Sequence, residues 1–373
     1  MSDALARDQP ETESLEPDQE LIKRRHVRDE QDYRDRCENS YGMVTLGQEE
    51  FHPADILDKL APDAARRGRD EASVQVRRDL EQIVREQFPA PIAAPFQGYL
   101  EGTLQPLQRL YRLRDSWESL IRILAAVALS EAVQSLASLR PLSIREGKDQ
   151  EPRPCKARDL CSERLAVRIG LIEGVLHRAQ DVDVELRISS LVPLELIAEI
   201  RRLNVVRNGF SHESTKSNAQ AEEIIDEAYS VMLEVLLDLR DMQSVELFRI
   251  HAIRPGFEAE IETLTGHAGS RSVQLVRLDP EAAALAMSAT PVDGMSRVLA
   301  RFDGLTLDLS PFFYAENDGT GHRTRILHYV CKKAGKWQME CVADSTSKTS
   351  AAAQHEELLG PFEDLLERDG KGA

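Results

Sequence analysis

A chain of 373 residues, 42% hydrophobic and 30% charged, holds enough material for about two domains with real cores. Its net charge of −17 excludes a general nucleic-acid coat, which needs Lys and Arg to neutralise phosphates. Aromatics make up only 5%, and recurrent Leu, Ala, Glu and Arg favour helix over sheet.

Five cysteines (Cys37, Cys155, Cys161, Cys331, Cys341) form no CxxC pair. That spacing fits free thiols in a reducing compartment, and Cys155 and Cys161 lack the second pair a zinc site needs. No signal-type segment opens the sequence and no run of ~18 apolar residues occurs, so a cytoplasmic protein without a membrane span is expected.

In chain order, residues 1–50 are rich in Asp, Glu, Gln and Arg and poor in aliphatics, which reads as an acidic, mobile tail. Within it, Leu21 to Asn39 has helical composition but no convincing apolar face. Residues 51–92 read as a short helical segment. His52-Pro53-Ala54-Asp55 looks like a helix start, and Val74, Val76, Leu80, Ile83 and Val84 mark an amphipathic helix. Prolines 89, 91 and 95 break up the following stretch and place a boundary near 90.

Residues 93–243 read as a helical bundle. Leu104 to Arg140 is apolar on more than half its circumference, with Trp117 as a core residue. Leu165, Ile169, Ile172, Val175 and Leu176 give a second helix; Leu194, Ile197, Ile200, Leu203 and Val206 give a third. Ser217 or Asn218 caps a fourth, with Ile224, Ile225, Ala228, Val231 and Val235 on its face.

The period then changes to two. Phe257 to Leu264, Val273 to Leu278 and Leu305 to Leu309 alternate, and Arg323 to Val342 reads as a hairpin turning at Ala334-Gly335. That register sets Cys331 opposite residue 338, which disfavours a Cys331–Cys341 disulfide, and sets His328 opposite Cys341. Glycine-rich Asn317 to His322 reads as a turn, because a phosphate loop should open a helix. Residues 244–373 therefore read as a small antiparallel β domain with a closing helix over 356–367. The fold class is α+β.

The chemistry concentrates at Arg207-Asn208-Gly209-Phe210-Ser211-His212, between the third and fourth helices. One reading is a helix C-terminus, with cations favourable to the dipole and Gly209 as terminator. The other is a phosphodiester site. A fixed guanidinium fork suits phosphate oxygens, and an imidazole exchanges a proton near neutral pH. Asn208 and His212 share a helical face, Arg207 sits to the side, and a backbone deviation at Gly209 would bring the three together. Arg201, Arg202 and Lys216 extend a positive patch in this reading, although Glu195, Glu199 and Glu213 dilute it; the alternative is a solvated helix face.

Arg207-Asn208, three intervening residues and His212, set between two helices and preceded by two others, resemble the HEPN family over about residues 93–243. The resemblance implies a four-helix bundle and a metal-independent endoribonuclease without cofactor, in which two protomers face each other across a dimer cleft. It implies that Arg207 binds the scissile phosphate, His212 acts on the 2′-hydroxyl or the leaving 5′-oxygen, and Asn208 orients the pair. Ser211 would bond the substrate backbone or serve as a local capping hydroxyl. The implied products are a 2′,3′-cyclic phosphate and a 5′-hydroxyl. No carboxylate cluster of two-metal type stands beside the motif.

Two functions are expected on these grounds. The first is a toxin or antiviral-defence RNase acting on tRNA or other cellular RNA, with the acidic N-terminal region and β domain binding a partner or sensing a trigger. The second is a non-catalytic scaffold subunit of a multiprotein defence or regulatory complex.

Overall fold

The computed structural model describes residues 19–147, 150–211, 217–267, 272–317, 324–333, 335–342, 346–351 and 353–367. The fold is α+β, with the helices gathered in the N-terminal half and two five-stranded antiparallel sheets in the C-terminal half.

Helix α1 spans Gln19–Tyr41 and is followed by a hairpin of β1 (Val44–Leu46) and β2 (Glu49–Phe51). These residues fall in the stretch expected to be a mobile tail, of which only 1–18 lie outside the described residues. The helix is held by a few apolar anchors and by ion pairs to several other helices. Leu21 enters the main core, Tyr33 and Cys37 pack on Ala54, Ala65 and Ala72, and Arg25 and Arg28 both bind Asp238 at 2.7 Å. Three widely spaced apolar residues leave no periodic face to read, so the sequence pattern missed the helix.

Helices α2 (Pro53–Leu60) and α3 (Pro62–Gln87) come next, α2 capped by His52 Nδ1 accepting from the Ala54 N–H at 3.2 Å. Helix α4 (Ala90–Leu100) overturns the expectation that prolines 89, 91 and 95 break this stretch. Pro89 is its N-cap and Pro91 lies in its first turn, where no N–H is needed. Phe88, Ile92 and Phe96 are fully buried in the same core as the later helices, so no core ends near 90.

Helix α5 (Pro106–Ser135) is the central post, with Trp117 buried as expected. After a short pair, β3 (Ser143–Ile144) and β4 (Arg153–Pro154), and the one-turn α6 (Ala157–Leu160), come α7 (Leu165–Asp181), the short α8 (Ile188–Leu191), α9 (Leu196–Ser211) and α10 (Asn218–Asp238). Ser217 caps α10 through a reciprocal capping box with Gln220. Helices α5, α7, α9 and α10 contact one another in a closed ring, each touching its two neighbours. That is a four-helix bundle, with α3 and α4 packed outside it.

The β part contains β5 (Glu246–Arg254), β6 (Glu258–Thr263), β7 (Ser272–Arg277), α11 (Pro280–Ser288), β8 (Ser296–Arg297), β9 (Leu299–Phe302), β10 (Leu305–Asp308), β11 (Phe313–Asn317), β12 (Thr324–Lys333), β13 (Lys336–Cys341), β14 (Ser347–Ser350) and α12 (Gln354–Glu367). One sheet has the order β10-β9-β5-β6-β7, the other β14-β13-β12-β11-β8. The chain crosses between them at Val298: β8 pairs with β11 in the second sheet, and β9 pairs with β5 in the first.

Most of this part shares its core with the helices. Phe312, Phe313, Tyr314, Leu327, Tyr329 and Trp337 join the same apolar cluster as α5 and α7, and the Ser130 hydroxyl donates to the Asp308 carbonyl at 2.7 Å. Only the face of β5 and β6 under α11, built on Phe248, Ile261 and Leu299, forms a separate cluster. In the β12–β13 hairpin Cys331 opposes Gln338 as the turn predicts. A bulge between Tyr329 and Cys331 then shifts the register, so that His328 opposes Glu340 and Cys341 opposes Leu327, which corrects the expected His328–Cys341 pairing. Among the described residues no helix is long and apolar enough to cross a membrane.

Candidate functional site

Helix α9 buries Ile200, Leu203 and Asn204 against the bundle. Arg207, four residues after Leu203 and three after Asn204, continues that buried face inward rather than out to solvent. There it meets α5, on which Arg114, Glu118 and Arg122 form a charged line four residues apart.

The carboxylate of Glu118, 12% exposed, is the hub. Arg207 donates to its Oε1 from Nε at 3.0 Å and also from Nη2. Arg122 Nη2 donates to Oε2 at 2.9 Å, and Arg114 Nε stands 3.7 Å from Oε1. Burial alone would raise the Glu118 pKa, but the charges of Arg122 and Arg207 outweigh it and hold the carboxyl below its ordinary range. Arg114 also pairs with Asp115 at 2.7 Å. Burial pushes the Asp115 carboxyl up, against the pull of Arg114. Among the described residues, three guanidiniums, Arg114, Arg122 and Arg207, therefore share two carboxylates, Glu118 and Asp115.

Asn208 Oδ1 accepts from Arg207 Nη1 at 3.0 Å. His212 and Lys216 lie outside the described residues, as does the Ser211 side chain; the Ser211 backbone closes α9. Gly209 neither terminates the helix nor deflects it. Regular α-helix runs through it to Ser211, and a Cβ built there meets nothing within 4 Å.

Arg201 and Arg202 do not extend the patch. Arg201 Nη2 donates to Glu173 at 2.6 Å and to the Arg145 carbonyl at 2.8 Å, fixing α9 to α7 and the β3 region. Arg202 Nη1 donates to Glu199 at 3.2 Å, a buried carboxylate that also has Arg25 at 3.9 Å. Each is paired with a carboxylate within the bundle, Glu199 buried and Glu173 half-buried.

The sequence reading missed Glu118 and its flanking arginines, although their i, i+4 spacing on an apolar helix was a readable signal. It also found no partner for His251, whose Nε2 lies 2.8 Å from Glu262 Oε2. The two are eleven residues apart on adjacent strands, and spacing carries no trace of that. The expected turn at Asn317 to His322 lies between β11 and β12, and beyond Asn317 it falls outside the described residues. Among the described residues no group of three or more His, Cys, Asp or Glu is placed to hold a metal ion. No family model, no curated protein and no solved structure matches the chain.

Proposed function

We propose that the end of α9 is the phosphodiester-binding centre of a metal-independent endoribonuclease of HEPN type, acting on tRNA or other cellular RNA as a toxin or defence effector. The observation that supports this reading is that, among the described residues, guanidiniums outnumber carboxylates around Glu118, at the end of the one helix that leads into His212. A phosphate arriving there exchanges one carboxylate partner of Arg207 for another anion of similar geometry, rather than requiring a charge to be uncovered from nothing.

In this reading Arg207 binds a non-bridging phosphate oxygen and stabilises the charge that grows on it. Asn208 keeps the guanidinium plane aligned. The ribose 2′-oxygen attacks phosphorus as its proton passes to a base, the bond to the 5′-oxygen breaks, and that oxygen receives a proton. His212 exchanges one of these protons, and a second copy of the motif, from a homodimer partner, supplies the other. The products carry a 2′,3′-cyclic phosphate and a 5′-hydroxyl.

The test is incubation of the protein with total RNA in EDTA, in parallel with His212→Ala. Wild type is expected to accumulate fragments at least ~100-fold faster, within the range that removing a general acid or base costs. Equal cleavage by the two proteins, with or without the product of a neighbouring gene, refutes the reading.

A second reading has its own observation. Each guanidinium nitrogen of Arg207, Nε, Nη1 and Nη2, makes a hydrogen bond inside the folded chain. That suits a scaffold subunit in which Arg207 locks α9 to α5. Loss of stability and assembly in Arg207→Ala, from a wild type that never cleaves RNA, identifies this case.

A further inference from the structure

Helix α7 carries a charge into the interior. Arg168 stands between Val167 and Ile169, all three buried, and keeps 2% of its surface. Among the described residues no carboxylate pairs with it. Its Nη2 donates to the Tyr329 carbonyl at 3.4 Å, and its inaccessible Nε donates to nothing described. Burial lowers its pKa to about 10, which still leaves the guanidinium charged at neutral pH.

Three other groups act on that charge: Arg122 from α5, Cys161 beside α6, and Tyr329 from β12. None of them balances it. Burial pushes the Cys161 thiol up to about 11 and raises the Tyr329 phenol as well, so both stay neutral. Arg122 has the same sign as Arg168 and is engaged with Glu118.

The bond to Tyr329 sets the guanidinium against the β12 backbone, beside His328. His328 is 5% exposed, and neither of its ring nitrogens has a partner among the described residues. Desolvation, with Arg122 and Arg168 added, keeps this ring neutral, and a neutral imidazole offers one N–H from either nitrogen. Two inaccessible donors on packed elements, one of them bearing a full charge, are costly unless an anionic acceptor joins them.

The surroundings define that acceptor. Leu165 and Ile172, which share the Arg168 face of α7, are buried and aliphatic. A phosphate would bring a second charge and oxygens that such a wall cannot satisfy. A spherical monovalent ion balances one guanidinium and asks for no fixed donor geometry.

We propose that a chloride-sized halide binds between Arg168 and His328, accepting from Arg168 Nε and from one imidazole N–H, and so ties α7 of the bundle to β12 of the sheet. Both side chains are enclosed, so the ion enters as the fold closes and leaves on unfolding. The site is separate from the end of α9, and the proposal does not depend on RNA cleavage.

Urea unfolding of the full chain in mixtures of sodium chloride and sodium gluconate tests it. Holding the ionic strength constant removes the general screening that a net charge of −17 would respond to. Above the dissociation constant, each tenfold rise in chloride is expected to lower the unfolding constant about tenfold, as for one ion bound only by the folded chain. Arg168→Met, similar in length and uncharged, should unfold without chloride dependence. Crystals of the wild type grown in bromide should show anomalous scattering beside Arg168 Nε and the His328 ring, which decides the matter even if the variant does not fold. A wild type indifferent to chloride overturns the proposal. So does a chloride dependence that persists in Arg168→Met, or the absence of bromide at Arg168, which would make water the bridging group.

Discussion

Both halves of the molecule bury a carboxylate under arginine, and they do it to different ends. Glu262 is nearly inaccessible, and Arg249 is sealed in with it, with His251 at 2.8 Å on the same carboxylate. Glu118 keeps 12% of its surface, and among the described residues the three guanidiniums around it outnumber the two carboxylates. A closed pair contributes to holding two strands and a neighbouring sheet in place. An open cluster with surplus charge retains affinity for an anion, which is why the candidate phosphodiester site is placed in the helical half.

The sharpest way to break this comparison is to remove each carboxylate. Glu262→Leu strands Arg249 in a site it cannot leave, and a loss of about 3–5 kcal/mol is expected in urea unfolding. Glu118→Gln keeps the shape and leaves Arg207, 19% exposed, able to turn toward water, so a loss of about 1–3 kcal/mol is expected. Equal losses would mean that Glu118 is as closed as Glu262.

Acid unfolding sharpens the comparison next, through a third buried group. His328 is deeply buried on β12, where desolvation, with the charges of Arg122 and Arg168 added, holds its pKa well below 6.5. The folded imidazole stays neutral while the unfolded one takes up a proton below about 6.5, so stability falls as pH drops from there. The expected slope approaches about 1.4 kcal/mol per pH unit below about pH 6, and it is lost in His328→Gln. Desolvation lowers His355 as well, and its contribution has the same sign and remains in that variant.

The smallest effect concerns Gly209. Because regular helix runs through it and a Cβ finds open space, Gly209→Ala should stabilise by about 0.5–1 kcal/mol and leave RNA cleavage unchanged. A fall in cleavage without a fall in stability would return to Gly209 a role in bending the backbone.

How much of this was legible depended on whether the signal was local. The bundle helices were readable because their apolar faces repeat every three or four residues, and the Ser217 cap because its hydroxyl acts three residues away. Helix α1 was not, since Leu21, Tyr33 and Cys37 are too sparse to make a face and its anchor, Asp238, lies some two hundred residues on. The β12–β13 turn was legible, yet the bulge that displaces His328 from Cys341 was not, because nothing local marks an extra residue. At the candidate site Arg207 and Asn208 were found from their motif. That Arg201 and Arg202 are consumed by Glu173 and Glu199 depends on helix contacts that no spacing encodes.

The central claim is that Arg207 holds a phosphate, and single-turnover cleavage of a labelled RNA in EDTA by wild type and Arg207→Ala tests it most directly. The expected rate is at least ~100-fold lower in the variant, with the protein still folded because Arg114 and Arg122 remain on Glu118. Equal rates for the two folded proteins would contradict it.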